Sequence, residues 1–504
     1  MGALENRFNL IDEPWIPVAD VGSVSLKQLF SDVTLRALGG NAVQKIALMK
    51  LFQAICQTAI TPDDDEQWQT LGVEGLCHAV LQYLERSRDH FWLYGEKPFL
   101  QMPAVARAKL KPFGTVLPEV STGNTTVLTQ RQYEKTLNDA DKALLIVVQM
   151  SMALGGKKTD NRVVLSPGYA GKTNEKGKPA TGKPGSAVEY MGLLHNYCLG
   201  ATLAETCWLN LFTREDIAAL AHYPLGLGTA PWEEMPEGED CAVARKLKQS
   251  LMGRLVPVGR FCLLSENGLY YSEGISHHNY KEGHYDPSVL INKKGKELKV
   301  QWADPARRPW RELPALLAFI QAEKQSGYEC EQLRIGINKA RIAQREFGVW
   351  SGGMRVSRNP LGEQYVSGTD DIVESLYLID PSLFGEVWFY HFNSEMDELD
   401  KLARRLYGCV SGWCREMKLA PKDIAAQATE MFWHLCEQQV QALLDGSDDP
   451  ACRDLLRKRF AGYLHQAFNF YCPHETARQM EIWAKTRPNT ADYLGIVVSD
   501  KEFV

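Results

Sequence analysis

The sequence predicts an α+β fold in which a large mixed α/β N-terminal domain is followed by a C-terminal four-helix bundle. Up to about residue 380, short apolar or aromatic segments of strand length alternate with turn clusters and helical patterns. From about Ser394 onward, apolar residues recur at helical spacing in four segments joined by short links. We therefore expect two domains, at residues 1–385 and 386–504.

The composition is that of an ordinary globular protein, with 504 residues, of which 45% are hydrophobic and 23% are charged. A net charge of −6 argues against a protein that coats nucleic acid indiscriminately, but it permits a local basic patch. Met1–Asn9 lacks a signal-peptide pattern, and the longest apolar run, Ala143–Val148, is too short to span a bilayer. We expect a cytoplasmic protein with no membrane partner.

In the N-terminal domain, patterns of two kinds alternate. Helical patterns cover Val43–Ile60, Glu74–Arg86 and Lys142–Leu154. Strand patterns cover Val258–Leu264, Leu269–Tyr271, Ser288–Ile291 and Leu298–Trp302.

The C-terminal domain is predicted to contain four helices, because proline or Asp-Gly signals separate four amphipathic segments. These helices are expected at about Met396–Lys418, Lys422–Leu444, Cys452–Tyr471 and His474–Thr486. Their aromatic residues are expected mainly in the core of the bundle: Phe432, Trp433, Phe460, Phe470 and Trp483.

No catalytic constellation is present, so we expect no enzyme activity. Gly177–Lys183 has the spacing of a phosphate-binding loop, but Pro184 stands where that loop needs a serine or threonine to bind magnesium. His474 begins a metalloprotease-like pattern in which Arg478 occupies the place of the second histidine.

Metal sites and cofactors are not expected either. The twelve cysteines include no C-x-x-C pair. His277, His278, His284 and Asp286 contain potential metal ligands, but a solvated loop explains them better. Three further carboxylates are explained more simply by a helix that begins at Thr369 or Asp370, with acids in its first turn: Asp370, Asp371 and Glu374.

The segment Ser351–Asp371 is hard to explain as core, because it is rich in glycine and polar turn formers. Gly352-Gly353 and Asn359-Pro360 are turn signals that should expose the residues between them. Three of those residues, together with Asn359, offer hydrogen-bond donors suited to base edges or phosphates: Arg355, Ser357 and Arg358. A solvated hairpin tip fits the composition equally well.

Gly155–Gly185 forms a second exposed segment, with seven lysines or arginines against two acids, a local charge of +5. Its seven glycines and three prolines predict a flexible, non-helical loop that attracts phosphate. A linker without a partner is the alternative interpretation.

Four segments, in this order, resemble the large subunit of the type I-E CRISPR surveillance complex Cascade, the CasA family. They are Phe8–Val18 (FNLIDEPWIPV), His90–Pro103 (HFWLYGEKPFLQMP), Pro167–Gly171 (PGYAG) and Gly352–Asn359 (GGMRVSRN). The resemblance extends over nearly the whole chain and implies a non-catalytic subunit with a bundle at its C-terminus.

The resemblance also implies which residues contact the protospacer-adjacent motif of target DNA. Gly168 and Gly171 match positions that lie against the minor groove, where a side chain would hold the backbone away. Lys172 is then a phosphate contact. The family's lysine finger falls within Tyr270–Tyr285, where Lys281 is the lysine present; Asn279 or the histidines are alternatives.

The wedge that separates the DNA strands departs from the family pattern. The resemblance places Ser357, Arg358 and Asn359 at this loop, with Ser357 and Asn359 facing the minor groove. Arg358 stands where the family has a glutamine. Arginine can stack on a base pair, contact phosphate or read guanine. Arg355 is expected to contact phosphate.

Pro118–Gln130 resembles the family's loop that reaches the guide RNA and neighbouring subunits. Within it, Asn124, Thr125, Val127 and Leu128 are the candidate contacts. An ordinary surface loop fits the composition as well.

The implied function is recognition of the motif in double-stranded DNA, initiation of strand separation, and help in recruiting a helicase-nuclease. The implied partners are CRISPR RNA, target DNA, the other Cascade subunits and that effector. Two alternatives remain at this point: a Cascade scaffold subunit without motif readout, and a phosphate-handling hydrolase built on Lys172 and Lys183.

Overall fold

The computed structural model describes residues 5–115, 117, 136–154, 192–321, 327–358, 364–365 and 372–495. The chain divides into two compact units. The first comprises Met1–Pro309 and Gly327–Leu376, and the second comprises Trp310–Ser326 and Tyr377–Val504. The second unit thus includes a segment that precedes residue 385 in the chain, and the division into domains at that residue stays a prediction.

The described strands are short and form small sheets. They are β1 (Arg7–Asn9), β2 (Ile16–Val18), β3 (Gly22–Val24), β4 (Trp92–Tyr94), β5 (His195–Leu199), β6 (Arg260–Ser265), β7 (Gly268–Glu273), β8 (Ile291–Asn292), β9 (Lys299–Val300), β10 (Tyr328–Glu329), β11 (Phe347–Met354), β12 (Ser357–Arg358), β13 (Gln364–Tyr365) and β14 (Ile372–Ile379).

The described α-helices are more extensive and include long ones in both units. They are α1 (Leu26–Ser31), α2 (Ala42–Ala59), α3 (Asp65–Arg86), α4 (Asp139–Ser151), α5 (Leu203–Leu209), α6 (Arg214–Ala219), α7 (Ala242–Lys248), α8 (Met252–Leu255), α9 (Leu313–Leu316), α10 (Glu331–Ile342), α11 (Glu386–Glu416), α12 (Pro421–Glu437), α13 (Val440–Gly446), α14 (Pro450–Tyr471) and α15 (Ala477–Thr486).

The predicted α+β class with a helical C-terminal bundle is confirmed. The helices predicted from periodicity in the first unit are present, and α3 begins nine residues before its predicted start at Glu74. The cause is Gly72, whose positive φ of 62° interrupts the helix. The helical periodicity in the sequence is therefore broken at this residue, and the part before it was not predicted. The strand predicted at Ser288–Ile291 is displaced to Ile291–Asn292.

Helix α2 lies at the centre of the first unit, where it packs against α3, α4 and β11. Asn41 caps its N-terminus through a reciprocal pair of hydrogen bonds with Gln44. Most of the helix is buried, yet one face carries Lys50, Gln53 and Gln57. Because buried polar groups need partners, this face has to bond to other segments.

Each of the three polar side chains on α2 meets a different part of the chain. Lys50 forms a buried ion pair with Asp286 and donates to the carbonyl oxygen of Arg254 at 2.9 Å. Gln53 donates to the carbonyl oxygen of Asn210 at 3.0 Å, and Gln57 to that of Phe212 at 3.1 Å. These bonds attach α2 to segments about 150 to 240 residues away in sequence.

The second unit is built on α11, which packs against α12, α14, α15 and α9. The predicted first helix is confirmed but begins at Glu386, ten residues earlier than expected. The predicted second helix is divided into α12 and α13 at Gln438-Gln439. Phe432, Trp433 and Phe460 are buried as expected.

Two aromatic residues of the bundle differ from the prediction. Phe470 is 70% exposed, and Trp483 is only partly buried, with its indole nitrogen donating to Asn469 Oδ1 at 2.9 Å. Both lie near the ends of their helices, where neighbouring helices no longer cover every face.

The ion pair of α2 provides a test of what holds the first unit together. We expect Lys50→Met to lower the free energy of unfolding by about 3–5 kcal/mol, because it leaves the Asp286 carboxylate buried without its cation. Urea unfolding of the purified chain measures this change. Lys45→Met on the same helix is the matched control: its pair with Glu374 is partly exposed, so its loss should be less than about 1 kcal/mol. Equal losses would contradict the assignment.

Candidate nucleic-acid interface

The glycine-rich segment that the sequence marks as an exposed loop begins as a buried strand. All eight residues of β11 are buried, including Gly352 and Gly353. A Cβ atom at Gly353 would lie 2.6 Å from the carbonyl oxygen of Leu193 and 2.9 Å from the Cβ of Ala303. The predicted turn at Gly352-Gly353 is therefore wrong: glycine is needed here because two backbones approach closely.

Strand β11 is held in a three-stranded sheet of order β14–β11–β5. It runs antiparallel to β5, with Gly348 opposite Leu199 and Gly352 opposite His195. Ser351 donates a hydrogen bond of 2.6 Å to the side-chain oxygen of Asn196 on β5. The end of β11 is thus fixed by both backbone and side-chain bonds.

A two-stranded hairpin follows this anchored strand after two residues. In it, Ser357 pairs with Tyr365 and Arg358 with Gln364. Arg355 is exposed between β11 and the hairpin. Asn359 and the predicted Asn359-Pro360 turn lie outside the described residues. The structure thus places Arg355, Ser357 and the backbone of Arg358 in a segment that directly follows the buried strand β11.

The described residues on either side of the predicted basic segment bond to this part of the first unit. The carbonyl oxygen of Leu154 accepts a hydrogen bond of 2.6 Å from Arg260. Gly192, the next described residue, accepts one of 2.9 Å from the backbone of Ala303. A Cβ atom at Gly192 would lie 2.6 Å from Val356, so Gly192 lies beside the base of the hairpin.

Most of the other predicted contacts fall in parts of the chain that the structure does not describe. Gly168, Gly171 and Lys172 lie outside the described residues, as do Asn124, Thr125, Val127 and Leu128. Their assignments stay predictions.

Lys281 is described, and it lies on a well-defined turn. The turn is a short 3₁₀ helix, Tyr280–Glu282, which Asn279 and Glu282 cap reciprocally. Gly283 ends it with a φ of 86° in the left-handed region. Lys281 itself is exposed. A cation on a short capped turn is suited to contact phosphate or a groove.

The residues around this turn are less exposed than the sequence predicts. His277 is buried and its Nε2 atom lies 2.8 Å from the carbonyl oxygen of Pro257. Asp286 is buried as well, where it pairs with Lys50. The solvated-loop prediction is therefore wrong for both residues, while His278 is exposed as expected. Within the described part of the chain, no group of three or more His, Cys, Asp or Glu residues could hold a metal ion.

A buried hydrogen-bond chain connects the segment after the turn to β5. Ser288 donates to Asp286 Oδ1 at 2.7 Å, so the His195 Nδ1 atom, at 2.8 Å from Ser288 Oγ, must be the donor of that bond. Burial raises the pKa of Asp286, but the charge of Lys50, the interaction with His195 and the hydrogen bonds from Lys50 and Ser288 together outweigh this and bring that pKa to about 2. Burial lowers the pKa of His195 to about 3, which keeps its ring neutral.

The carboxylates before the second unit also differ from the prediction. A strand, β14, follows residue 371 where a helix was expected, so the helix cap at Thr369 or Asp370 is wrong. Asp370 and Asp371 lie outside the described residues. Glu374 pairs with Lys45 and accepts a hydrogen bond of 2.9 Å from the Trp350 indole. The β-branched, aliphatic and aromatic residues of Ile372–Ile379 were the signal for a strand, but the acids before it obscured this.

The family model described as CRISPR-associated protein Cse1 matches residues 9–468. This chain belongs to the Cse1 family. The resemblance to the large subunit of Cascade that the sequence motifs indicate is thereby confirmed.

Relatives of known name agree with membership in the Cse1 family. The CRISPR-associated protein CasA/Cse1 of Thermus thermophilus is 28% identical over 347 residues, which are 63% of this chain and 61% of that protein. The match thus spans less than two thirds of the relative's length.

Solved Cse1 structures have the same fold as this chain. Thermobifida fusca Cse1 is similar with a TM-score of 0.73 and 18% identity, over 98% of this chain and 99% of that chain. Thermus thermophilus CasA gives a TM-score of 0.70 and 20% identity, over 97% and 99%. A chain from a CRISPR RNA-guided surveillance complex gives 0.68 and 14%, over 95% and 98%.

The close packing at Gly353 provides a test of how the hairpin is anchored. We expect Gly353→Ala to destabilise the first unit by about 1–3 kcal/mol, because the added methyl overlaps the backbone of Leu193. Gly408→Ala on α11 is the control: it has open space and should stabilise the chain by up to about 1 kcal/mol. Thermal unfolding of both variants measures the difference, and a neutral Gly353→Ala would contradict the packing.

The buried His195 predicts that stability falls in mild acid. In the unfolded chain its pKa is about 6.5, so between pH 7 and 5 the unfolded state binds a proton that the folded state refuses. The contribution of His195 is therefore complete above its unfolded pKa and should fall by about 2 kcal/mol at pH 5. Urea unfolding across this range should show a smaller slope for His195→Asn than for the unaltered chain. An unchanged slope would refute this origin.

Proposed function

We propose that the chain is the non-catalytic large subunit of a type I-E Cascade complex, an RNA-guided CRISPR surveillance complex. In this role it contacts CRISPR RNA and other Cascade subunits, recognises the protospacer-adjacent motif in double-stranded DNA and starts strand separation. Membership in the Cse1 family supports this proposal, as does the similar fold of a chain in a surveillance complex.

The observation that carries the DNA-binding part is the anchored hairpin. A strand that is buried throughout leads through Arg355 into a hairpin that bears Ser357 and Arg358. A rigid base matters for this task, because a wedge has to transmit force to the base pairs instead of bending away from them. Opening the first base pairs costs a few kcal/mol, which inserted side chains and phosphate contacts can offset.

Within this proposal the cations have different tasks. Arg358 acts as the wedge, by stacking on the first base pair or by contacting guanine. Arg355 and Lys172 contact phosphate. Lys281, with Ser357, Asn359, Gly168 and Gly171, lies in the minor groove of the motif. Protein thus reads the motif and RNA pairing reads the target, which is the logic of guided recognition.

The other parts of the chain would serve the assembly. The loop with Asn124, Thr125, Val127 and Leu128 would reach the guide RNA and adjacent subunits. The bundle would contact other subunits and help to recruit the helicase-nuclease.

Substitution of the wedge tests the proposal in the assembled complex. We expect Arg358→Ala to reduce strand opening next to the motif by about tenfold to a hundredfold, which corresponds to the loss of one good base contact. Fluorescence of 2-aminopurine in the first target positions reports opening, and a randomised motif library reports preference.

Two further variants separate the roles of the cations. Arg355→Ala should weaken binding to all sequences alike and lower the salt dependence of binding by about one phosphate contact. Arg107→Ala, at an exposed arginine of the first unit, should change neither property. If Arg358→Ala leaves both opening and motif preference intact, the wedge assignment fails and a scaffold role remains.

A further inference from the structure

A cavity of about 90 Å³ lies beside β14 in the first unit. Its walls are mainly apolar and come from α2, α5, β5, β11, β14 and the segment before α2: Leu38, Met49, Leu199, Leu203, Trp350 and Leu376. Arg36, Lys45 and Glu374 also line it. The volume suits one aliphatic side chain, and the lining favours an apolar group over a polar one.

The strand next to this cavity is at the edge of its sheet. In the order β14–β11–β5, β14 has one described neighbour, and Leu376 is 48% exposed on it. Further along, the Leu378 amide donates to Gln441 Oε1 at 3.1 Å, and Gln441 Nε2 donates to the Leu378 carbonyl at 2.9 Å. The Gln441 amide thus bonds to Leu378 as a neighbouring strand would.

The position of the Gln441 side-chain amide shows to which side the N–H and C=O groups of β14 point. In a strand, the backbone groups of alternate residues point to the same side. The backbone N–H and C=O groups of Leu378 point outward, away from β11. Those of Leu376 and Glu374 therefore point outward too. An exposed edge of this kind can pair with an added strand.

The charges at the cavity select the chemistry of the added segment. Lys45 is already paired with Glu374, whereas Arg36 is exposed and has no ion-pair partner among the described residues. One cation is therefore available for one carboxylate. The lining carries two cations and one carboxylate, and this small positive charge matches a single carboxylate better than a run of phosphates.

We propose that the edge of β14 binds an extended segment of another protein subunit of the complex, which inserts an aliphatic side chain into the cavity and places an aspartate or glutamate near Arg36. This inference rests on the proposed function, since it takes its partner from the same assembly. The segment pairs with the outward backbone groups of Leu376 and Glu374, while the cavity and Arg36 select its residues.

Three variants of the full-length chain test the three parts of this site. Ala37→Trp, at an exposed residue that lines the cavity, should fill it. Arg36→Glu should repel the carboxylate. Leu376→Pro removes the outward N–H, a change that an edge strand tolerates. We expect each to weaken association of the chain with the remaining subunits and CRISPR RNA at least about tenfold, measured as a Kd by biolayer interferometry.

Matched controls guard against general effects of charge and bulk. Lys27→Glu and Val33→Trp change exposed residues elsewhere in the first unit and should leave the Kd unchanged. Thermal unfolding of the isolated variants should match that of the unaltered chain. If a variant unfolds at a lower temperature than the unaltered chain, photo-crosslinking tests the site instead, because it does not depend on a loss of affinity.

Replacement of Leu376 by p-benzoylphenylalanine, followed by irradiation of the assembled complex, identifies what lies at the edge. A cross-link to a protein segment with an aliphatic residue next to an acidic one supports the inference. A cross-link to RNA or DNA, or none at all in an intact complex, overturns it. If the unaltered chain binds no other subunit, the proposed function fails as well, whereas normal assembly of all three variants overturns this inference alone.

Discussion

The buried ion pair between Lys50 and Asp286 is the constraint on which the candidate interface depends. Lys50 comes from the central helix, and Asp286 from the segment that directly follows the Lys281 turn. Through Ser288, Asp286 also bonds to His195 on β5, and His195 is opposite Gly352 on β11. A charge pair in the core is stable only when each partner is held in place. The Lys281 turn and β11, the strand that leads to the hairpin, are thus attached to one network of buried hydrogen bonds.

Sequence patterns predicted the parts of the fold in which one local rule dominates. The amphipathic helices are examples, because their apolar spacing matches what the core requires. The prediction failed where distant segments decide. A Gly-Gly pair such as Gly352-Gly353 looks the same in sequence whether it forms a turn or lies in a crowded strand. Only the approach of Leu193 and Ala303 shows that glycine is required here. Likewise, acids before β14 imitate a helix start, although the β-branched and aromatic residues after them are typical of a strand.

Sequence patterns predicted which residue types form the candidate site, but they did not predict how these residues are arranged. Arg355 and Lys281 are exposed cations, as the motifs indicated, and their surroundings differ from the prediction. Lys50 was missed although its signal is plain, since a lysine inside a long apolar helix requires a buried partner. Finding that partner takes the folded chain, because Asp286 lies 236 residues away. The structure also shows that Gly192 lies beside Val356, which spacing alone does not reveal.

The full burial of β11 has a consequence for how binding preferences change in evolution. Residues of the strand contribute to the stability of the whole unit, so substitutions there act on folding before they act on recognition. The hairpin is separated by two residues from Met354, where this buried strand ends. Its outer residues can be replaced one at a time while the core stays intact. Arg358, which the resemblance places where the family has a glutamine, would be a change of this kind.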